Sequence, residues 1–123
     1  MEEKIALRVS EYGTVEKLSF TDDSSLKVLQ SAVDGLIQPV DVTETVTCWV
    51  NEEGLFRSDF RSNILASKTT GLNLKGPVVF TGGVGENGET LSLSYEDAEI
   101  IRQKASVAEK LCRSLGLLEP ETN

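Results

Sequence analysis

Gly83-Val84-Gly85-Glu86-Asn87-Gly88 is the stretch whose residue types and spacing come nearest to a known chemistry. It spells G-x-G-x-x-G and follows the apolar run Pro77-Val78-Val79-Phe80. In a dinucleotide fingerprint such glycines open a helix at once, so that the helix N-terminus faces a pyrophosphate. Here the next helical pattern starts only at Ser94, and Glu86 and Glu89 would repel phosphate. The motif therefore reads as a flexible turn. Glycine still lets a ligand approach the backbone closely. The strand end Phe80-Thr81-Gly82 is accordingly a candidate ligand contact, with one side of Phe80 left open by the glycines beside it. Trp49 and Phe56 are the other aromatic candidates, and for all three the competing reading is a place in the core.

Arginine is the second candidate chemistry. Between Gly54 and Gly76 stand Arg57, Arg61, Lys68 and Lys75 against only Asp59. Further on come Arg102, Lys104, Lys110 and Arg113. The planar guanidinium fork suits phosphate, so these groups mark a place for a small phosphorylated ligand. The competing reading is a solvated face with pairs such as Glu109–Arg113 at i,i+4.

Catalysis is not expected. The chain has no histidine, which removes Ser-His-Asp and Cys-His nucleophile pairs and histidine metal ligands. The carboxylate pairs Asp22/Asp23, Glu52/Glu53 and Glu96/Asp97 fall at turns and helix starts, where capping accounts for them. Cys48 and Cys112 lie far apart in different elements and read as buried thiols. No metal or cofactor is expected.

The 123 residues carry a net charge of −8. That length makes a single domain over residues 1–123, with 116–123 as a frayed tail. The acidity disfavours direct nucleic-acid and anionic-membrane binding. No apolar run reaches the roughly 18 residues of a membrane helix, and Met1-Glu2-Glu3-Lys4 lacks the form of a signal peptide. A cytoplasmic protein is expected.

Periodicity places the candidates on elements. Ile5, Leu7 and Val9 alternate, and Val15 to Phe20 resumes after a Glu11–Thr14 turn, giving a hairpin in which Val15 falls off the alternation. A short helix over about Ser25 to Asp34 comes next, with Gly35 beyond its end. Leu36 to Val40 is extended, with Pro39 belonging on an edge or at the end of a ladder. Thr45 to Val50 alternates as a central strand, and Leu55-Phe56-Arg57 reads as a short strand returning after the Asn51–Gly54 turn. Asp59 reads as the cap of a short helix through Ala66. The last helix starts at Ser94 and carries the seam Ala98, Ile101, Ala105, Ala108, Cys112 and Leu115. Ile100, Val107 and Leu111 widen that seam beyond what one small sheet face needs, so part of it is available to a second copy. The fold class is α+β: an antiparallel β-sheet of about five to six strands, one short covering helix, a short helical turn and a long C-terminal helix.

Three stretches carry a resemblance. Ser25-Leu26-Lys27-Val28-Leu29-Gln30 leading to Asp34-Gly35-Leu36-Ile37, then Trp49-Val50-Asn51-Glu52-Glu53-Gly54, then Gly76-Pro77-Val78-Val79-Phe80-Thr81-Gly82-Gly83 resemble a family of small proteins of unknown function encoded by phages and mobile elements. The chain departs from that pattern at Leu55–Phe60, where a more basic, proline-containing loop is expected. The overall plan is also similar to the phage Thoeris anti-defence sponges of the first type. Those proteins hold cyclic ADP-ribose isomers, and some hold cyclic oligonucleotides, without cleaving them. The resemblance implies a non-enzymatic protein of a bacterial host's cytoplasm. It would form a dimer or hexamer through its C-terminal helix and sequester a cyclic nucleotide. It also implies base stacking by Phe80 and phosphate or ribose contacts by Arg102 and Arg113. The alternative is an acidic protein-interaction module or nucleic-acid mimic that inhibits a host factor.

Overall fold

The structure, a computed structural model, describes residues 2–117. Nine elements run in chain order: β1 (Lys4–Val9), β2 (Val15–Phe20), α1 (Ser25–Val33), β3 (Ile37–Thr43), β4 (Val46–Asn51), a one-turn 3-10 helix (Gly54–Phe56), α2 (Ile64–Thr70), β5 (Val78–Gly82) and α3 (Tyr95–Ser114). The fold is α+β, as expected. The strands form one antiparallel five-stranded sheet in the order β2-β1-β5-β4-β3. Pro39 does lie on an edge strand, β3.

Both faces of this sheet are covered. On one side Leu7, Val9, Val46, Cys48, Val78 and Phe80 pack with Leu65 and Ala66 of α2 and Ile101, Ala105 and Ala108 of α3. On the other, Ala6, Phe20 and Val79 pack with Leu29 and Val33 of α1. This explains Val15. It pairs with Val9 in an unbroken β1–β2 register and joins the α2–α3 side, while Leu18 and Phe20 join the α1 side. The strand stays regular through Val15, because a strand in a two-sided core buries residues of both parities.

Three other local expectations change. Leu55 and Phe56 form the 3-10 turn, not a strand. Asp59 caps nothing; the cap of the second helix is Asn63, whose Oδ1 accepts the Ala66 N–H at 3.0 Å. Asp34, not Gly35, is the left-handed residue that closes α1, with φ 61°. The last helix keeps closely to its sequence. Ser94 Oγ accepts the Asp97 N–H at 3.1 Å, and Gly116 at φ +71° lets Leu117 donate back to the Cys112 carbonyl. Of the predicted tail, residues 118–123 lie outside the described residues.

Asn63 is the polar anchor of the α2–α3 side. It is fully buried, and besides its cap it donates from Nδ2 to the Val9 carbonyl at 2.9 Å and the Gly76 carbonyl at 2.8 Å. One side chain thus ties β1, the entry to β5 and the start of α2. Removing it strands buried polar groups on three segments, and each such group costs about 1–3 kcal/mol. Asn63→Ala is expected to lower the unfolding free energy by about 3 kcal/mol or more, read as a lower urea midpoint at an unchanged slope.

Candidate functional site

The residues singled out from the sequence do not converge. Phe80 sits in the middle of the central strand, opposite Leu7 and Cys48, with no exposure. The expectation that glycines leave one side of its ring open is corrected, because the chain's own backbone fills the space. Gly82 donates to the Leu91 carbonyl, and a Cβ on Gly82 would stand 2.3 Å from the Ser92 carbonyl oxygen. Gly82 therefore serves a close approach of backbone to backbone. Thr81 is equally internal. Its hydroxyl accepts the Trp49 indole N–H at 2.8 Å and donates to the Gly82 carbonyl at 2.9 Å.

The G-x-G-x-x-G stretch is a closed turn. Val84 bridges Thr90, and Gly85 meets both the backbone and the side chain of Glu89. The Glu89 carboxylate lies over the Gly85 backbone, where a phosphate would have to sit.

Arg57 is also used internally. Its guanidinium pairs with Asp59, reaches Asp34 Oδ2 at 3.1 Å and the Asp34 carbonyl at 2.9 Å, and stacks 4.0 Å over the Phe60 ring. These partners hold it firmly protonated, the Asp59 hydrogen bond foremost, and the same bond holds the Asp59 carboxyl below its ordinary value. Arg57 thereby completes a set. The last carbonyls of a helix have no partner within it. In α1, Arg8 bonds the Ala32 carbonyl, Asn51 the Val33 and Asp34 carbonyls, and Arg57 the Asp34 carbonyl.

Of the six candidate ligand contacts Phe80, Thr81, Gly82, Arg57, Arg102 and Arg113, only the last two are exposed. They lie along one line of α3, about 16 Å apart, and Arg113 donates to Glu109 at 2.9 Å.

Among the described residues no group of three or more metal-ligating side chains forms. Cys48 and Cys112 are free and buried, and desolvation pushes the Cys48 thiol up to about 12, so it stays protonated and inert. No described helix is long and apolar enough to cross a membrane.

One feature that sequence patterning does not reveal is a groove. α2 and α3 leave the outer strip of their sheet face uncovered, where Val40 and Val50 form a half-buried floor. Leu55, Phe56 and the segment Leu72 to Lys75 line the rest of it, around a volume of about 370 Å³. Phe56 is 90% exposed. The groove is hidden in the sequence because Leu55-Phe56-Arg57 alternates too briefly to separate a strand from a helical turn.

Fold and site together define an α+β domain with a two-sided core and an apolar groove at one edge of its sheet. The model of one protein family, described as a domain of unknown function (DUF3846), matches residues 3–106. The chain belongs to that family. A search of curated proteins returned no match, and neither did a search of solved structures.

Thr81 offers a direct check on its internal role. Thr81→Val removes the acceptor of the Trp49 N–H and is expected to cost about 1–3 kcal/mol. It should also shift the emission of Trp49, the chain's one tryptophan, in the folded protein.

Proposed function

We propose that this protein is a non-enzymatic protein-interaction module that works through the groove beneath Phe56. The observation that carries this reading is the placement of Phe56, 90% exposed at the rim of an apolar trough. Exposed large side chains gathered at one place mark interaction surfaces, and aromatic anchors beside pockets are where binding energy concentrates. The exposed amides of Gln38 and Asn73 also line the groove and can fix a partner's register. The net charge of −8 favours encounter with a basic partner, and the mixed charge at the groove itself leaves the contact to its apolar side chains. The resemblance to phage-encoded proteins makes a host factor the partner class, inhibited by occupation of its surface.

The test compares wild type with Phe56→Ser in capture from bacterial lysate at low salt. Because Phe56 is exposed, the variant should keep its stability within about 0.5 kcal/mol. It should lose a basic protein that the wild type retains. Equal capture by both proteins, or none by either, sinks the reading.

A second reading, sequestration of a cyclic nucleotide, is supported by Arg102 and Arg113 sharing one exposed line of α3. Phe80, Thr81, Gly82 and Arg57 have internal roles, so the ligand would rest on these two arginines and groups from a second copy. Titration calorimetry against cyclic ADP-ribose isomers and cyclic dinucleotides should then show binding that Arg102→Ala weakens about tenfold or more. Silence across that panel, or recovery of cleaved ligand, rules it out.

A further inference from the structure

The two edges of the sheet are built differently. In an antiparallel sheet, alternate residues of an edge strand turn their N–H and C=O groups outward. On β3 the outward residues are Ile37, Pro39 and Asp41, because Leu36 faces β4, accepting the Glu52 N–H. Pro39 removes the middle donor, and the β3–β4 register shifts between Asp41 and Thr43. Proline and register breaks close an edge to further strands. β2 has neither. Ser10 donates to the Thr14 carbonyl at 2.8 Å, and the register with β1 then runs unbroken from Val9–Val15 to Lys4–Phe20. The outward residues are therefore Val15, Lys17 and Ser19, and their backbone groups meet no partner among the described residues. Beside this edge α1 leaves a trough lined by Leu18, Lys27, Val28 and Ala32.

We infer that β2 pairs with β2 of a second copy, antiparallel about a two-fold axis through Leu18. Charge complementarity selects both the occupant and the register. An axis through Glu16 would set Glu16 opposite itself, and one through Lys17 would set Lys17 opposite itself; like charges so placed repel. An axis through Val15 or Ser19 would run Lys17 onto a turn, at Gly13 or at Thr21, whose N–H already bonds Ser24 Oγ. The axis through Leu18 sets Leu18 against Leu18, Lys17 opposite Ser19 and Glu16 opposite Phe20, with no like charges opposed. Lys17 of each copy then exchanges both its backbone hydrogen bonds with Ser19 of the other. The strand also supplies a carboxylate that its own edge needs. Lys27 holds no ion pair among the described residues. Ser25 Oγ donates to the Asp22 carbonyl, so α1 starts at the Phe20 end of β2, with Lys27 in its first turn. Glu16 lies on the α1 face, since it pairs with Arg8, which bonds the Ala32 carbonyl. Glu16 of the other copy, opposite Phe20, therefore arrives on the side where Lys27 stands. Such an isologous contact closes at a dimer and joins the two sheets into one. The Phe56 groove lies by β3, at the opposite edge of the sheet, so the pairing leaves it open and does not depend on its partner.

Sedimentation and cysteine cross-linking of the full chain test the inference. Wild type is expected at a mass twice the 13.4 kDa of one chain. Lys17→Pro removes an outward N–H that β1 does not use, at an edge position where proline is tolerated. It should be monomeric with unchanged far-ultraviolet dichroism. Directly opposed residues that do not exchange hydrogen bonds stand about 4.5 Å apart at Cα, a separation that a disulfide spans. Leu18→Cys should thus link to itself between copies on mild oxidation and leave the buried native thiols free. Glu16→Cys should stay unlinked, because this register holds the two copies of that position about 14 Å apart along the strands. The linkage pattern decides the register whether or not the proline variant folds. A wild-type monomer at all concentrations, a dimer that survives Lys17→Pro, or linkage of Glu16→Cys as fast as that of Leu18→Cys would each overturn it.

Discussion

The structure depends on the burial of β5 from both sides. Each residue from Val78 to Gly82 is buried, and the strand hydrogen-bonds to β1 on one edge and β4 on the other. A strand so placed must send apolar side chains both ways. Val78 and Phe80 enter the α2–α3 core, and Val79 enters the α1 core. Fully burying each of these side chains contributes about 1.5–3 kcal/mol. Glycine follows after Thr81 because the segment carrying Leu91 and Ser92 crosses against the strand end. A run that looks from its composition like a ligand wall is the centre of the protein.

The same constraint decides what the basic residues do. A helix on the far face of the sheet must end against it, and its last carbonyls then need donors. Arg8 from β1, Asn51 from β4 and Arg57 from the loop before α2 supply them. Asp34 adopts a left-handed backbone there, a conformation that aspartate tolerates better than most residues, and its carboxylate also meets Arg57. Two of the chain's arginines thus hold α1 in place. A cluster of positive charge in sequence is therefore no guide to a phosphate site until its partners are known.

Elements with a long period are legible in the sequence. The alternation of Leu7 and Val9, and of Val46, Cys48 and Val50, appears directly as strands. Ser94 and Gly116 bound α3 where capping chemistry places them. Short elements are not legible, because three residues cannot distinguish a strand from one helical turn. Asp59 and Asn63 are both competent caps, and only tertiary contact separates them: Arg57 takes Asp59, and the Val9 and Gly76 carbonyls take Asn63. Phe80 misleads for a different reason. Its glycine neighbours suggest open space, but that space is filled by a segment ten residues further along, a contact that no local pattern encodes. The groove is out of reach in the same way, since it exists only where the helix layer fails to cover β3.

Acidity and exposed apolar surface act together here. At physiological ionic strength, charges separated by more than about 8 Å are largely screened, so the net charge of −8 limits approach only where acidic groups stand close to the contact. Around the outer face of α3 the charges balance, with Lys104 and Lys110 against Glu96 and Asp97. Around the groove it is mixed, with Glu52 and Lys75 both in its lining. Apolar side chains are thus exposed in places where the acidic surface does not repel an approaching chain. Elsewhere like charge keeps copies apart and holds solubility. The groove at Phe56 and the outer face of α3 are exposed on separate elements, and neither draws on residues of the other.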